Sequence, residues 1–389
     1  KKLKWNNKPF EIPQEILEEW KKIGDKGELL EKKWQETINK KNPQIKKKLE
    51  KAYNKTELQN LESLIEKQKI KYFETKPNLA TRQCSMATIK SVSSILPQLI
   101  GGSADLSGSN NTKTNNSKII NSKNFDGNYI HYGVREHGMA AVMNGLALYG
   151  GIIPYGGTFL IFSDYCKPSI RLSALMGLKV IYIFSHDSIG LGEDGPTHQP
   201  IEQLTGLRAI PNLNVFRPAD MNETLECWEI ALKSNNNPSA IALSRQKVPY
   251  INPKNSKENK SEKGAYVVNI TSHESNVTLV ASGTEVELAL KVQENLKQNN
   301  IDSKVVSMPC MELFDKQSKD YQKNIIEEDS LIVTLEAGSI MSWQKYIKNN
   351  GINLGIDKFG ESAPYKEVYN YLDLSEEKIT SLIQKKLRE

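Results

Sequence analysis

Apolar residues recur at helical spacing through the first part of the chain. They follow one another at intervals of three and four residues in three stripes: Ile16, Leu17, Trp20 and Ile23; Leu30, Trp34 and Ile38; and Leu58, Leu61, Leu64 and Ile65. Gly24, Gly27 and Pro43 interrupt the pattern and predict breaks between helices. Most of the intervening positions are charged, so we expect residues 1–75 to form a helical arm that buries little by itself.

The pattern changes near Pro77, where short apolar runs begin to alternate with helical stripes. The runs predict strands at Leu99–Gly101, Tyr129–Tyr132, Ile152–Tyr155, Val180–Ser185, Leu213–Phe216 and Ala240–Leu243. The stripes predict helices at 84–95, 137–149, 161–175, 200–207 and 221–233. Alternation of short buried strands with helices is typical of a parallel α/β sheet.

A polar run at residues 252–264 predicts a boundary between two domains. Beyond it, a strand, a helix, a strand and a further strand are predicted at Val277–Ala281, 285–298, Val305–Ser307 and Leu331–Glu336. We therefore expect an α/β protein with two parallel or mixed-sheet α/β domains, at 76–252 and 264–389, preceded by the helical arm at 1–75.

Composition excludes several classes of protein. The 389 residues are 38% hydrophobic and 25% charged, and no stretch approaches the roughly 18 consecutive apolar residues of a membrane span. We expect no membrane partner and a cytoplasmic location. The net charge of +6 comes from the arm, where residues 1–75 contain 19 lysines against 13 acidic residues. Because these lysines alternate with glutamates, they indicate solvated helix faces, and we expect no nucleic-acid partner.

The cysteines favour neither a disulfide framework nor a metal site. Cys84, Cys166, Cys227 and Cys310 are far apart in the sequence, and none has a histidine at ligand spacing. We expect buried free thiols and no metal ligands in this chain.

Candidate chemistry is concentrated in the run SHDSIGLGEDGPTHQP at residues 185–200. It follows a predicted strand and contains His186, Glu193, Asp194 and His198. Polar groups at the carboxyl end of a parallel strand face the crevice in which α/β sheets bind ligands. A Gly-rich loop with capping side chains would explain each residue singly, but two histidines and two acids together favour a site.

Three further clusters have a simple structural explanation when each is taken alone. In YGVREHGM, Glu136 begins an apolar helix and complements its dipole. In TFLIFSDY, Phe159, Phe162 and Tyr165 are three residues apart, which places them on one helical face and favours core packing. Polar side chains near strand ends, suited to phosphate binding or to ion pairs, form the third cluster: Arg82, Asp105, Ser109 and Arg245.

Together these runs resemble the transketolase family. The motifs GGSADL, NYIHYGVREHGM, TFLIF, HDSIGLGEDGPTHQP, NVFRPAD, LSRQ, VASGTEVELA, VSMP and FGESAP occur in the family's order, over nearly the whole chain. The resemblance implies a transferase of the pentose phosphate pathway. Such an enzyme moves a two-carbon ketol unit from a ketose phosphate to an aldose phosphate with thiamine diphosphate as cofactor.

The resemblance also implies roles for the residues that match. Glu136 resembles the glutamate that bonds the aminopyrimidine nitrogen, and Phe159, Phe162 and Tyr165 resemble the aromatic wall around that ring. Asp105 resembles a residue near the thiazolium. The sugar-phosphate residues of the family correspond to Arg82, Ser109, His186 and Arg245, with Asp194 at the substrate's 2-hydroxyl and His198 near the reacting hydroxyls.

One family motif is absent from this sequence. The family binds the diphosphate and its Mg²⁺ or Ca²⁺ through a GDG…N motif in another domain, and no GDG occurs here. We therefore expect catalysis to need a diphosphate-binding domain in trans, within a homodimer or a heterotetramer, and the isolated chain to be inactive.

Two alternatives stay open at this point. The chain resembles, more weakly, subunits of other thiamine-diphosphate enzymes, such as deoxyxylulose-phosphate synthase or the β chain of a 2-oxo-acid dehydrogenase. It could also be a non-catalytic scaffold or regulatory partner that has kept the fold.

Overall fold

The computed structural model describes residues 5–53, 58, 60–251, 257–272, 275–327, 329–347 and 351–389. The chain divides into two units, residues 1–55 and 56–389. The domain boundaries expected from the sequence, at 1–75, 76–252 and 264–389, stay predictions.

The first unit contains two helices, α1 (Gln14–Asn39) and α2 (Pro43–Tyr53). The break before Pro43 is confirmed, but the breaks expected at Gly24 and Gly27 are wrong, because α1 runs through both glycines. Each glycine costs about 1 kcal/mol relative to alanine in a helix, and the helix-forming residues around them offset that cost. No described residue of α1 is buried, whereas the helix at Leu61–Thr75, which was also expected to belong to the arm, buries Leu61, Ile65 and Lys69.

The second unit contains a six-stranded parallel sheet with strand order β3-β2-β4-β5-β7-β6. Its strands are β2 (Leu99–Ser103), β3 (Tyr129–His131), β4 (Ile153–Phe159), β5 (Ile181–Ser185), β6 (Asn214–Phe216) and β7 (Ser239–Leu243). Every residue of β4, β5 and β7 is buried, which agrees with the continuous apolar character of these runs.

Helices cover both faces of this sheet. They are α3 (Leu61–Thr75), α4 (Thr81–Val92), α5 (Ser107–Asn110), α6 (Glu136–Tyr149), α7 (Ser163–Leu175), α8 (Gln203–Arg208) and α9 (Met221–Lys233). The indole of Trp228 in α9 is fully buried and donates a hydrogen bond to the Ser85 hydroxyl of α4 at 2.9 Å. A short antiparallel ribbon of β1 (Leu79–Ala80) and β8 (Lys247–Val248) joins the beginning and the end of this part of the chain.

A second sheet of five strands has the order β13-β12-β10-β11-β9. Its strands are β9 (Tyr266–Ile270), β10 (Val277–Ala281), β11 (Ser303–Ser307), β12 (Leu331–Leu335) and β13 (Ile352–Leu354). Only β9 is antiparallel to its neighbour, so the sheet is mixed. The helices are α10 (Glu285–Gln298), α11 (Met311–Phe314), α12 (Lys319–Ile325), α13 (Tyr365–Tyr371) and α14 (Glu376–Lys386). The expected α/β fold class with two sheets is confirmed.

Two further features are the state of the cysteines and the apolar character of the helices. All four cysteines are free and buried. Among the described helices, none combines the length and the apolar character that crossing a membrane would require.

Candidate active site

The residues singled out from the sequence collect at one edge of the six-stranded sheet. Because its strands are parallel, their carboxyl ends share that edge. Asp105 and Ser109 follow β2, Glu136 follows β3, the aromatic residues end or follow β4, and the loop from His186 to His198 follows β5. Arg245 follows β7, and Arg82 lies in the first turn of α4. The candidate polar residues therefore lie at one edge of the sheet, as their positions after the strands predicted.

Two arginines are held side by side by the residues that precede them. The Thr81 backbone N–H donates to the Ser244 hydroxyl at 3.0 Å, and the Ser244 backbone N–H donates to the Thr81 hydroxyl at 2.7 Å. This reciprocal pair fixes the positions of Arg82 and Arg245. Burial lowers the pKa of Arg82, and the charge of Arg245 lowers it further, as expected for neighbouring cations.

Arg82 connects three of the candidate residues. Its Nη1 donates to the Ser109 carbonyl oxygen at 2.6 Å and lies 3.4 Å from His186 Nε2. Burial lowers the pKa of His186 to about 3, with added effects from Arg82, Arg245 and His198. The His186 imidazole is therefore neutral at physiological pH, although it stands among cations.

The aromatic side chains form a continuous stack. The rings of Phe159 and Phe162 are 5.7 Å apart and nearly parallel, and Tyr165 stacks on Phe162 at 5.9 Å. The Phe159 ring also stacks on His186 at 3.7 Å, and His198 meets the edge of Phe162 at 5.6 Å. This stack joins the aromatic residues to the histidines of the loop.

The expectation that these three aromatic residues share one helical face is wrong. Phe159 ends β4, Phe162 lies in a 3₁₀ turn, and Tyr165 lies in the first turn of α7. The strand is longer than its predicted range, Ile152–Tyr155, because it pairs with β5 as far as the Phe159–Ser185 register. The three rings contact one another because the chain turns between the end of β4 and the start of α7.

Glu136 begins α6, as expected, and its side chain is 9% exposed. Burial raises the pKa of the Cys166 thiol in α7 to about 12, and the charge of Glu136 adds to that effect. The neighbouring Arg135 donates to the Tyr132 carbonyl oxygen at 3.1 Å. The carboxyl therefore begins a helix that packs against α7, whose first turn carries Tyr165.

Two candidate residues have left-handed backbone at strand ends. Asp105 has φ 64° and His186 has φ 61°. Non-glycine residues in this region are uncommon, and each costs of order 1–3 kcal/mol, so they persist where the surrounding structure determines them. Both turn the chain sharply into the loop that carries the polar residues.

Two of the predicted residues are not joined to this cluster. Asp105 and Asp194 are exposed at the same edge, and within the described part of the chain no hydrogen bond or ion pair links either carboxylate to the other candidates. His198 is half-buried, and its Nδ1 lies 2.9 Å from the Thr197 hydroxyl.

A buried ionic network next to the site was missed by sequence reasoning. Arg217 is fully buried, pairs with Glu285 of α10, and donates from Nε to Asp187 at 2.9 Å. Arg208 donates two hydrogen bonds to Glu336, at 2.6 and 2.8 Å. The network connects the two sheets and reaches the residue that follows His186. Its only signal in the sequence was that Arg217 and Asp187 lie within motifs shared with transketolases.

The described residues offer no metal centre. Among them, no group of three or more histidine, cysteine, aspartate or glutamate side chains could hold a metal ion. The donors gathered here are instead suited to an anion, through the two arginines, and to a flat heterocycle, through the aromatic stack and Glu136.

Comparison with known families agrees with this reading. Residues 77–250 match the family model "Transketolase, pyrimidine binding domain", and residues 264–375 match "Transketolase-like TK C-terminal domain". A transketolase from Sinorhizobium medicae is 44% identical over 381 residues, which are 98% of this chain and 54% of that protein. The chain thus spans about half the length of the curated relatives it matches.

Solved structures give the same picture. A transketolase variant from Pichia stipitis superposes with a TM-score of 0.89 at 32% identity, over 100% of this chain and 57% of that chain. A structure described as a split gene transketolase, inactive beta4 tetramer, has a TM-score of 0.65 at 23% identity and shares the fold over 80% of this chain and 99% of that one. The chain therefore belongs to the transketolase family, of which it carries the pyrimidine-binding and C-terminal domains.

Proposed function

We propose that this chain supplies the pyrimidine-binding half of a transketolase active site. In this proposal it takes part in the transfer of a two-carbon ketol unit from a ketose phosphate to an aldose phosphate. The carrying observation is the convergence of three features at one sheet edge: a partly buried carboxyl, an aromatic stack, and two arginines beside a neutral imidazole.

The residues present fit one half of thiamine diphosphate. The stack of Phe159, Phe162 and Tyr165 offers a surface for a flat ring, and Glu136 begins α6 at the same edge of the sheet. When bound, the cofactor supplies a carbon nucleophile and an electron sink. The diphosphate and its Mg²⁺ or Ca²⁺ need other ligands, which we assign to a diphosphate-binding domain.

The chain's own residues would then act on the ring and its surroundings. Glu136 would hold a proton at the aminopyrimidine nitrogen and so fix the tautomer of that ring. The aromatic rings would exclude water from this contact, which strengthens a hydrogen bond to a carboxyl. Asp105 would lie near the second ring of the cofactor.

The polar residues would bind the sugar phosphate. Arg82 and Arg245 present two neighbouring positive charges that match a phosphate, with Ser109 beside them. His186 would lie beside the phosphate as a neutral group, with its Nε2 accepting a hydrogen bond from Arg82. Asp194 and His198, on the loop after β5, would contact the substrate hydroxyls.

The partner is proposed from an exposed apolar surface on α6 and α7, which lie side by side. This α6–α7 face consists of Val142, Leu148, Tyr149, Leu172, Leu175 and Met176, all more than a third exposed. Contiguous apolar surface of this kind marks an interaction site. We assign it to a homodimer or to a heterotetramer with chains that carry the diphosphate-binding domain, and we place the protein in the cytoplasm.

The alternatives make different predictions. A subunit of another thiamine-diphosphate enzyme would accept a different donor, such as a 2-oxo acid. A scaffold would bind the partner without activity. The two arginines beside His186 support sugar-phosphate chemistry over both.

Reconstitution tests the proposal. The purified chain is titrated calorimetrically with thiamine diphosphate and Mg²⁺, and weak binding is expected. A diphosphate-binding domain from a transketolase is then added, and ketol transfer between sugar phosphates is measured with the complex verified by light scattering. Tight binding by the chain alone, or a stable but inactive complex, would contradict the proposal.

A further inference from the structure

The loop that carries Asp194 and His198 is packed against a segment of the C-terminal domain, residues 359–364. Gln199, at the end of the loop, is 1% exposed. Its Nε2 donates to the Gly192 carbonyl oxygen at 3.0 Å and to the Glu361 carbonyl oxygen at 2.9 Å. One side chain therefore closes the loop on itself and ties it to the other domain.

The orientation of the Gln199 amide follows from its partners. Both are backbone carbonyls, which only accept hydrogen bonds, so the NH₂ group must face them. The loop closes further through its backbone, because the Gly195 carbonyl oxygen accepts from the N–H groups of His198 at 3.0 Å and Gln199 at 3.1 Å. Displacement of Gln199 would thus move His198 directly.

A second contact crosses between the domains next to Asp194. The Ser362 hydroxyl donates to the Glu193 carbonyl oxygen at 2.5 Å. A Cβ at Gly195 would lie 3.2 Å from the Ser362 Cβ, so the two backbones are in close contact there. The residue before Asp194 and the residue after it are therefore both held by the same serine.

Gly360 shows how closely this segment approaches Gln199. A Cβ at position 360 would lie 1.8 Å from Gln199 Oε1, which no real contact allows, and 3.3 Å from Ile189 Cγ2. Gly360 is not among the residues with positive φ, so an alanine there would be strained mainly by Gln199. The glycine is required by the space that the glutamine occupies.

We propose that Gln199 is a positioning residue through which the C-terminal domain fixes the loop bearing Asp194 and His198. Among its described residues, the C-terminal domain contributes no side chain to the candidate site, and these contacts with the loop give it a role in substrate recognition. The catalytic part of this inference rests on the proposed function, whereas the mechanical part concerns only the contacts of this chain.

The mechanical part is tested on the chain alone by hydrogen–deuterium exchange with mass spectrometry. In Gln199→Ala, we expect amides of residues 189–199 to exchange about 10-fold faster or more, because one buried and one partly buried hydrogen bond are lost. Ser362→Ala should act in the same direction, and Ser362→Thr should restore protection. Gln293→Ala is the matched control, since this buried glutamine donates to the Ser303 carbonyl oxygen at 2.8 Å, within the C-terminal domain and away from the loop.

Gly360→Ala provides a test that does not depend on removing a hydrogen bond. In the parent background, Gly360→Ala should raise hydrogen–deuterium exchange in residues 189–199. In the Gln199→Ala background it should add nothing, because the Gln199 Oε1 atom with which the new Cβ would clash is absent. The positioning role of Gln199 would be overturned if Gly360→Ala raised exchange equally in both backgrounds, or if loop exchange were unchanged in Gln199→Ala. Faster exchange in peptides of β10 as well would indicate global unfolding of the variant. In that case the exchange of residues 189–199 in the milder variant Ser362→Ala decides between the outcomes.

The catalytic part is tested in the reconstituted enzyme. Gln199→Ala should raise KM for the ketose phosphate and lower kcat/KM, while affinity for thiamine diphosphate stays within about 2-fold, because the aromatic stack and Glu136 are untouched. Equal losses in cofactor and substrate binding would overturn a role in positioning the loop. If the parent complex is inactive, the proposed function fails. The exchange experiment still decides whether Gln199 holds the loop against the C-terminal domain.

Discussion

The guanidinium of Arg82 and the imidazole of His186 meet with 3.4 Å between Nη1 and Nε2. Arginine has donors only, so Nε2 of His186 must be the acceptor and its proton must lie on Nδ1. Nδ1 lies 2.9 Å from the Ser185 hydroxyl, which can accept that proton's hydrogen bond. The arginine thus determines the tautomer of the histidine, and burial together with the charge of Arg82 keeps the imidazole neutral.

We predict that His186 does not titrate near neutral pH. Burial and the neighbouring charges of Arg82, Arg245 and His198 lower its pKa to about 3, against about 6.5 in an unfolded chain. Between these two pKa values the unfolded state binds a proton that the folded state does not bind. The free energy of unfolding therefore falls as pH falls through this range. NMR of ¹⁵N-histidine-labelled protein from pH 7 to 4.5 should show the His186 imidazole unprotonated throughout.

His186→Gln identifies that signal. The resonance that fails to titrate should be missing from the variant spectrum and the other four should remain. A midpoint near 6.5 for the His186 resonance would contradict the tautomer argument.

Glu136→Gln separates two roles of the carboxyl at the start of α6. If Glu136 only complements the helix dipole, the variant loses about 0.3–1 kcal/mol of stability and little activity. If it holds a proton on the cofactor, the loss should be roughly 10²–10⁴-fold in the rate of deprotonation at the thiazolium C2. Hydrogen–deuterium exchange at C2 in the reconstituted enzyme measures that rate by NMR. If exchange at C2 is as fast in the variant as in the parent, Glu136 has only the structural role.

Arg245→Ala should weaken phosphorylated substrates selectively. A charge-assisted contact to phosphate contributes roughly 1.5–3 kcal/mol, which corresponds to about 10–150-fold in kcat/KM. A donor without phosphate, hydroxypyruvate, should lose much less. Lys247→Ala removes an exposed positive charge two residues away and serves as the control for long-range attraction. Equal losses for both donors would show that Arg245 is structural.

Glu223 predicts a pH dependence of stability at the contact between the two domains. Burial and the nearby Asp220 raise the pKa of Glu223 to about 7, although Ser307, Tyr266 and the Ala219 N–H donate hydrogen bonds to it. Between its unfolded value and about 7, the folded state binds the extra proton, so this site loses stability as pH rises, in total on the order of 3 kcal/mol.

Glu223→Gln removes that titration. The difference in Tm between variant and parent should therefore increase in favour of the variant from pH 4.5 to 7. Asn269→Asp, which introduces a carboxyl at an exposed position of β9, is not expected to reproduce this trend. A Tm difference that stays constant across the range would show that Glu223 titrates normally.

The sequence predicted what depends on local pattern. Glu136 at a helix start and His186 after a strand could be placed because strand-to-helix transitions are visible in the order of apolar runs. The aromatic residues were placed on one helical face because spacing alone cannot show that a strand continues as far as its neighbour allows. The predicted breaks at Gly24 and Gly27 failed because helix propensity is summed over many residues.

Contacts between domains lay beyond this kind of reasoning. Gln199 and Glu361 are 162 residues apart, and Arg217 and Glu285 are 68 apart. Nothing in the periodicity of either segment encodes its partner. Such residues resemble ordinary loop or buried polar residues until the fold brings the partner to them.

The pairing of β1 with β8 also bears on how the site forms during folding. Thr81 and Ser244, which hold the two arginines together, are 163 residues apart. Contacts of such high sequence separation form only after a large loss of chain entropy, and proteins that depend on them fold slowly. The arginine pair therefore comes together after the sheet between them has assembled, and recovery of phosphate binding should lag behind recovery of helical structure when the unfolded chain is returned to native conditions.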